Sequence, residues 1–74
     1  MIIFTVHSLL KLKQRKIPKR LVVEAVKNPD HACESHSNRK ACFKKINELY
    51  LKVVYKNEAN NTIVITQHWV KEIN

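Results

Sequence analysis

The chain has 74 residues, 45% of them hydrophobic and 27% charged, and its 14 Lys+Arg against 6 Asp+Glu give a formal net charge of +8. That length makes one small domain, residues 1–74, with shallow pockets, and the apolar fraction excludes a disordered polyelectrolyte. The charge, with a pI near 9.8, favours a polyanionic partner such as nucleic acid or an acidic protein and says little about fold.

The opening residues MIIF fall far short of the roughly 20 apolar residues that span a bilayer. They also lack a preceding basic region and a small-residue cleavage site. No signal peptide and no membrane partner are expected, which points to the cytoplasm, where Cys33 and Cys42 are expected as free thiols. Residues 2–4, IIF, are β-branched and aromatic and read as a short strand. Thr5 is suited to cap a helix. From there Val6, Leu9, Leu10 and Lys13 recur at the spacing of a buried helical face, with Leu12 off it. His7, Lys11, Gln14 and Arg15 form a polar stripe. Ile17-Pro18 breaks this helix, and Pro18 suits the start of the next. Leu21, Val22, Ala25 and Val26 give that helix its apolar side, and Asn28-Pro29-Asp30 stops it.

After Asp30 the pattern alternates. HACESH and KACFKKI flank the turn-like Ser37-Asn38-Arg39, and LYLKVVY places Leu49, Leu51, Val53 and Tyr55 on one face. A turn at 58–61 leads to a last strand, TIVITQHWV, in which Val64, Thr66, His68 and Val70 share a face. The chain has no glycine, so Asn38, Asn47, Asn60 and Asn61 are expected at positive φ. The predicted fold is α+β: a short N-terminal strand, a two-helix hairpin, then an antiparallel meander of about four strands with the hairpin covering one face.

Several side chains carry chemistry. His7, near a helix N-terminus that disfavours its cationic form, suits proton transfer or merely packs as a cap. Arg15 lies about 12 Å farther along the helix axis. It can clamp a phosphate with its planar fork or pair with Glu24 or Asp30. Thr66 and His68 can add a hydroxyl donor and a second proton-transfer group if their face meets the start of the first helix. Lys11, Lys13, Lys16, Arg39 and Lys44 belong to a wider scatter of cations able to track a nucleic-acid backbone, or simply to a solvated surface. Tyr50, Tyr55 and Trp69 can stack on bases where exposed. His31, Cys33, His36 and Cys42 resemble a zinc set, but alternation separates His36 from His31 and Cys33, so no metal site and no cofactor are expected. A two-residue turn at Ser37-Asn38 would set Cys33 opposite Cys42.

The spacing T-x-H-x-L-x5-R-x-I (Thr5, His7, Leu9, Arg15, Ile17), followed by Asn28-Pro29-Asp30, residues 51–55 and Val64-Ile65-Thr66, resembles the prokaryotic family called domain of unknown function 4258. Two positions depart from the family's pattern: its turn glycine is Lys16 here and its serine-like cap is Pro18. Apolar residues stand in the family where this chain has its cysteines. The family is similar in topology to the RelE and ParE toxins and to other small ribonucleases with two helices packed on a four-stranded sheet. The resemblance implies either an RNA-directed activity or toxin ancestry without activity, the inactive form being held by an acidic antitoxin-like protein; the leading reading is a ribonuclease acting on RNA without metal. A non-catalytic binding module of the same fold is the alternative, and a structural partner domain the third reading.

Overall fold

The computed structural model describes residues 1–73. A three-residue strand, β1 (Ile2–Phe4), leads into α1 (Val6–Gln14), and α2 (Lys19–Lys27) follows after a tight turn. Four strands complete the chain: β2 (His31–Glu34), β3 (Lys40–Ile46), β4 (Leu49–Glu58) and β5 (Asn61–Val70). The sheet order is β1-β5-β4-β3-β2. The last four strands form an antiparallel meander, and β1 lies parallel to β5, making a mixed α+β sheet.

Thr5 caps α1 as its chemistry requires, accepting from the Ser8 amide at 3.0 Å through its side chain. The helix ends in a Schellman motif. The Ile17 amide donates to the Leu12 carbonyl at 2.9 Å and the Lys16 amide to the Lys13 carbonyl at 3.4 Å. Lys16 therefore takes the left-handed position, φ 54°, where glycine is the usual residue. Ile17 and Leu12 meet in the core, closing the motif with the apolar contact that normally accompanies it. Pro18 is the N-cap of α2 rather than its first helical residue.

The buried side of α1 is not the one its apolar spacing predicts. Ser8 and Leu12 are buried, whereas Val6, Leu9 and Leu10 are 76%, 46% and 57% exposed. The cause is a polar match across the sheet. Gln67 is fully buried, and only the Ser8 side of the helix satisfies it. In α2, Val22 and Ala25 are buried and Leu21 and Val26 pack beside them, as the sequence indicates. With Leu12, Ile17, Cys42, Leu51, Val53 and Val64 they form the core between helices and sheet.

The strand registers show what each face carries. The strict alternation expected for β5 fails at one place. Val54 pairs with Thr66 but Tyr55 pairs with Val64, leaving Ile65 as the extra residue of a bulge. The bulge lets Val64 and Gln67, three residues apart, both face the helices and be fully buried. Thr66 and His68 consequently lie on the opposite, open face, and Val64 does not share it. Positive φ occurs at Asn38, Asn47 and Asn60 as expected, and also at Lys16, Ser37 and Ala59. Asn61 instead begins β5, because Ala59-Asn60 is the two-residue connection between the paired Glu58 and Asn61. Among the described residues, no helix is long and apolar enough to cross a membrane.

Candidate active site

Helix α1 lies against β5 where β1 has run out, and three of its polar side chains grip that strand in succession. The Thr5 hydroxyl donates to the Ile65 carbonyl at 3.3 Å. The Ser8 hydroxyl donates to Gln67 Oε1 at 2.6 Å, and Gln67 Nε2 donates back to the Ser8 carbonyl at 2.9 Å. Arg15, at the C-cap of α1, donates through Nη1 to the Gln67 carbonyl at 2.7 Å and to the Thr66 hydroxyl at 3.3 Å. Its guanidinium thus rounds the edge of the sheet and arrives beside the open face. Both contacts use the same nitrogen, so the fork is fixed in direction while its remaining donors make no hydrogen bond to protein among the described residues.

His68 follows Thr66 by two residues on the open face and stands directly opposite Lys52 of β4. Burial pushes its pKa below the ordinary histidine value, and the positive charges of Lys52 and Arg15 add to that effect. The imidazole is therefore biased toward its neutral form in a cationic setting, a state suited to accepting a proton. Arg15, Thr66 and His68 come together as one group, with Lys52 as a fourth member that the sequence did not single out.

His7 does not join them. It is exposed in the first turn of α1, with no hydrogen bond to any of the three. Arg15 does not pair with an acidic residue across the helices either. Glu24 Oε1 accepts from Asn28 Nδ2 at 3.1 Å, and Asp30 Oδ2 accepts from the Lys45 amide at 2.8 Å. Of the cations singled out earlier, Lys13, Lys16 and Arg39 are exposed. Lys11 donates to Gln14 Oε1 at 3.0 Å. Lys44 pairs with Leu51 and so lies on the helix side of the sheet, away from His68. Lys45, Lys52 and Lys56 occupy the open face instead. Lys56–Glu58 at 3.3 Å is the single ion pair among the described residues, so the other lysines and arginines carry their charge without an acidic partner at salt-bridge distance.

Cys33 pairs with Ala41, and Ala32 with Cys42. The two thiols are on opposite faces because the β2–β3 connection is longer than a two-residue turn, with the Ser35 amide reaching the Arg39 carbonyl at 2.8 Å. Cys33 is exposed and Cys42 buried. Burial, with a smaller contribution from Cys33, pushes the Cys42 thiol up to about 11. No group of three or more His, Cys, Asp or Glu among the described residues could hold a metal ion.

Ser8 and Gln67, which hold the helix to the strand, had no functional signal in the sequence beyond a glutamine amid apolar strand residues. Together these features define a small α+β domain with a cationic, histidine-bearing strand edge. A family model described as a domain of unknown function (DUF4258) matches residues 4–67, and the chain belongs to that family. No curated protein and no solved structure matches the chain.

Proposed function

We propose that this chain is a metal-independent ribonuclease of the RelE-like class. The observation that carries the reading is the placement of the Arg15 guanidinium on the Thr66 hydroxyl and the Gln67 carbonyl, beside a histidine biased toward neutrality. A phosphodiester at this edge meets the free donors of Arg15 and the Lys52 ammonium, which stabilise charge growing on the non-bridging oxygens. The Thr66 hydroxyl accepts from Arg15 and turns its own proton toward a phosphate oxygen. Neutral His68 takes the proton of the 2′-hydroxyl. The 2′-oxygen bonds to phosphorus as the bond to the 5′-oxygen breaks, leaving a 2′,3′-cyclic phosphate and a 5′-hydroxyl. A water molecule protonates the departing 5′-oxygen, because His7, about 12 Å from Arg15 along α1, stands outside the group formed by Arg15, Thr66 and His68.

The test is cleavage of free and ribosome-bound RNA by purified protein. His68→Ala should lower the rate about 10²–10⁴-fold and leave RNA affinity nearly intact, whereas His7→Ala should leave the rate nearly unchanged. Lys13→Ala should only weaken binding and reduce its salt dependence. Cleavage should persist in chelator, spare DNA and leave cyclic-phosphate ends. Cleavage that survives His68→Ala, or that needs a divalent ion, overturns the mechanism.

A second reading, a non-catalytic module binding nucleic acid or an acidic protein, has its own support. His7 stands apart from Arg15, and the exposed Val6, Leu9 and Leu10 ridge is bordered by Lys11 and Lys13. Wild-type protein that binds RNA or an acidic partner without cutting any RNA decides for this reading.

A further inference from the structure

The open face of the sheet carries a row of directly opposed residues that starts at the candidate site. His68 faces Lys52, Lys52 faces Phe43, and Phe43 faces His31. With strands about 4.8 Å apart, the row crosses about 14 Å of sheet. Beside it lies a cavity of about 380 Å³ lined by Phe43, Lys52, Val70, Lys71 and Glu72. His68 is not a lining residue but stands next to two that are, opposite Lys52 and two residues before Val70 on the same face. Lys71 and Glu72 lie beyond the end of β5, yet they share the cavity with Phe43, two strands away. The chain after β5 therefore bends back across the face and forms the cavity's polar wall.

The lining combines an apolar floor with two cationic donors and one carboxylate acceptor. Phe43 and Val70 give an apolar floor. The Lys52 ammonium lies 5.7 Å from the Phe43 ring centroid. Lys71 brings an ammonium that only donates, and its neighbour Glu72 a carboxylate that only accepts. Glu72 takes part in no ion pair among the described residues. The Watson–Crick edge of guanine runs acceptor, donor, donor: O6, N1–H and N2–H. A carboxylate takes the two adjacent N–H groups together, and an ammonium beside it takes O6. Adenine, cytosine and uracil each offer a carboxylate one donor with an acceptor next to it.

We propose that this cavity is a base subsite that selects guanine in a bound RNA strand. The inference rests on the reading of Arg15, Thr66 and His68 as a phosphate site. Because His68 neighbours the lining residues Lys52 and Val70 and would deprotonate the 2′-hydroxyl, the base held is that of the nucleotide supplying the attacking oxygen. The enzyme therefore cuts on the 3′ side of guanine.

The test titrates the full chain with the four 3′-mononucleotides, following amide shifts of Lys52, His68 and Val70. The 3′-GMP is expected to bind about tenfold tighter than the other three, the range of one bidentate base contact. Glu72 is exposed, so Glu72→Ala should erase the preference while affinity for inorganic phosphate stays unchanged. A tetranucleotide with one internal guanine should bind tighter than GTP, because GTP lacks the 3′-phosphate that Arg15 would hold. Equal affinity for the four mononucleotides, a preference untouched by Glu72→Ala, or tighter binding of GTP than of the tetranucleotide overturns the proposal. None of these measurements needs catalysis. A guanine preference in a protein that cuts no RNA sustains the base subsite and removes only the nuclease reading.

Discussion

Ser8 and Gln67 exchange two hydrogen bonds inside the protein, the hydroxyl to Oε1 at 2.6 Å and Nε2 to the carbonyl at 2.9 Å. Both residues are fully buried. The pair sets the rotation of α1 and thereby the side of the helix from which Arg15 reaches Thr66. Ser8→Ala strands the Gln67 carbonyl oxygen away from water, which costs about 1–3 kcal/mol. Denaturant unfolding should show that loss. The double variant Ser8→Ala/Gln67→Leu should be less destabilised than the sum of its parts. Strict additivity would mean that the two side chains do not support each other.

Lys16 occupies the left-handed position of the Schellman motif at φ 54°, where a Cβ atom is unfavourable. Lys16→Gly is expected to stabilise the protein by about 1 kcal/mol. A raised urea midpoint with an unchanged slope would show it. An unchanged or lowered midpoint would show that the lysine side chain contributes more than its backbone costs.

His68 titrates lower in the folded protein than in the unfolded chain, because of burial and then Lys52 and Arg15. As pH falls through about 6.5 the unfolded chain takes up a proton first. The contribution is thus fully present above that pH and is lost as pH falls through the folded-state pKa. Unfolding midpoints between pH 5 and 8 should therefore decline more steeply on the acid side for the wild type than for His68→Gln. Parallel profiles would show that His68 feels neither the burial nor the two cations.

Cys33 is exposed and Cys42 is buried with its thiol pushed up to about 11. A thiol reagent at pH 8 should modify one cysteine quickly and the second only in denaturant. Cys33→Ser should abolish the fast phase. Rapid modification of both in the native protein would place Cys42 outside the core.

The strands were legible because their apolar alternation is strong in residues 49–55, and the stop at Asn28-Pro29-Asp30 separates helix from sheet unambiguously. The two places where periodicity misled share one cause. Val6, Leu9 and Leu10 show helical spacing but remain outside, while Ser8 is inside because a partner 59 residues away completes its hydrogen bonds. In β5 the bulge at Ile65 reverses the phase of alternation partway along the strand, which no local pattern announces. The candidate site was legible as residue types, with Arg15, Thr66 and His68 found together. Lys52 enters through strand register alone, and Glu72 through a bend after the last strand.

The parallel pairing of β1 with β5 joins Ile2 to Thr62, and the Met1 carbonyl accepts from the Thr62 amide at 2.8 Å. During synthesis, β1 and both helices leave the ribosome well before the strand that covers them. Thr5, Ser8 and Arg15 all find their partners at residues 65–67. A nascent chain that stops short of those residues presents its arginine without the threonine and histidine beside it, so growing polypeptide cannot assemble the strand edge before nearly the whole domain has been made.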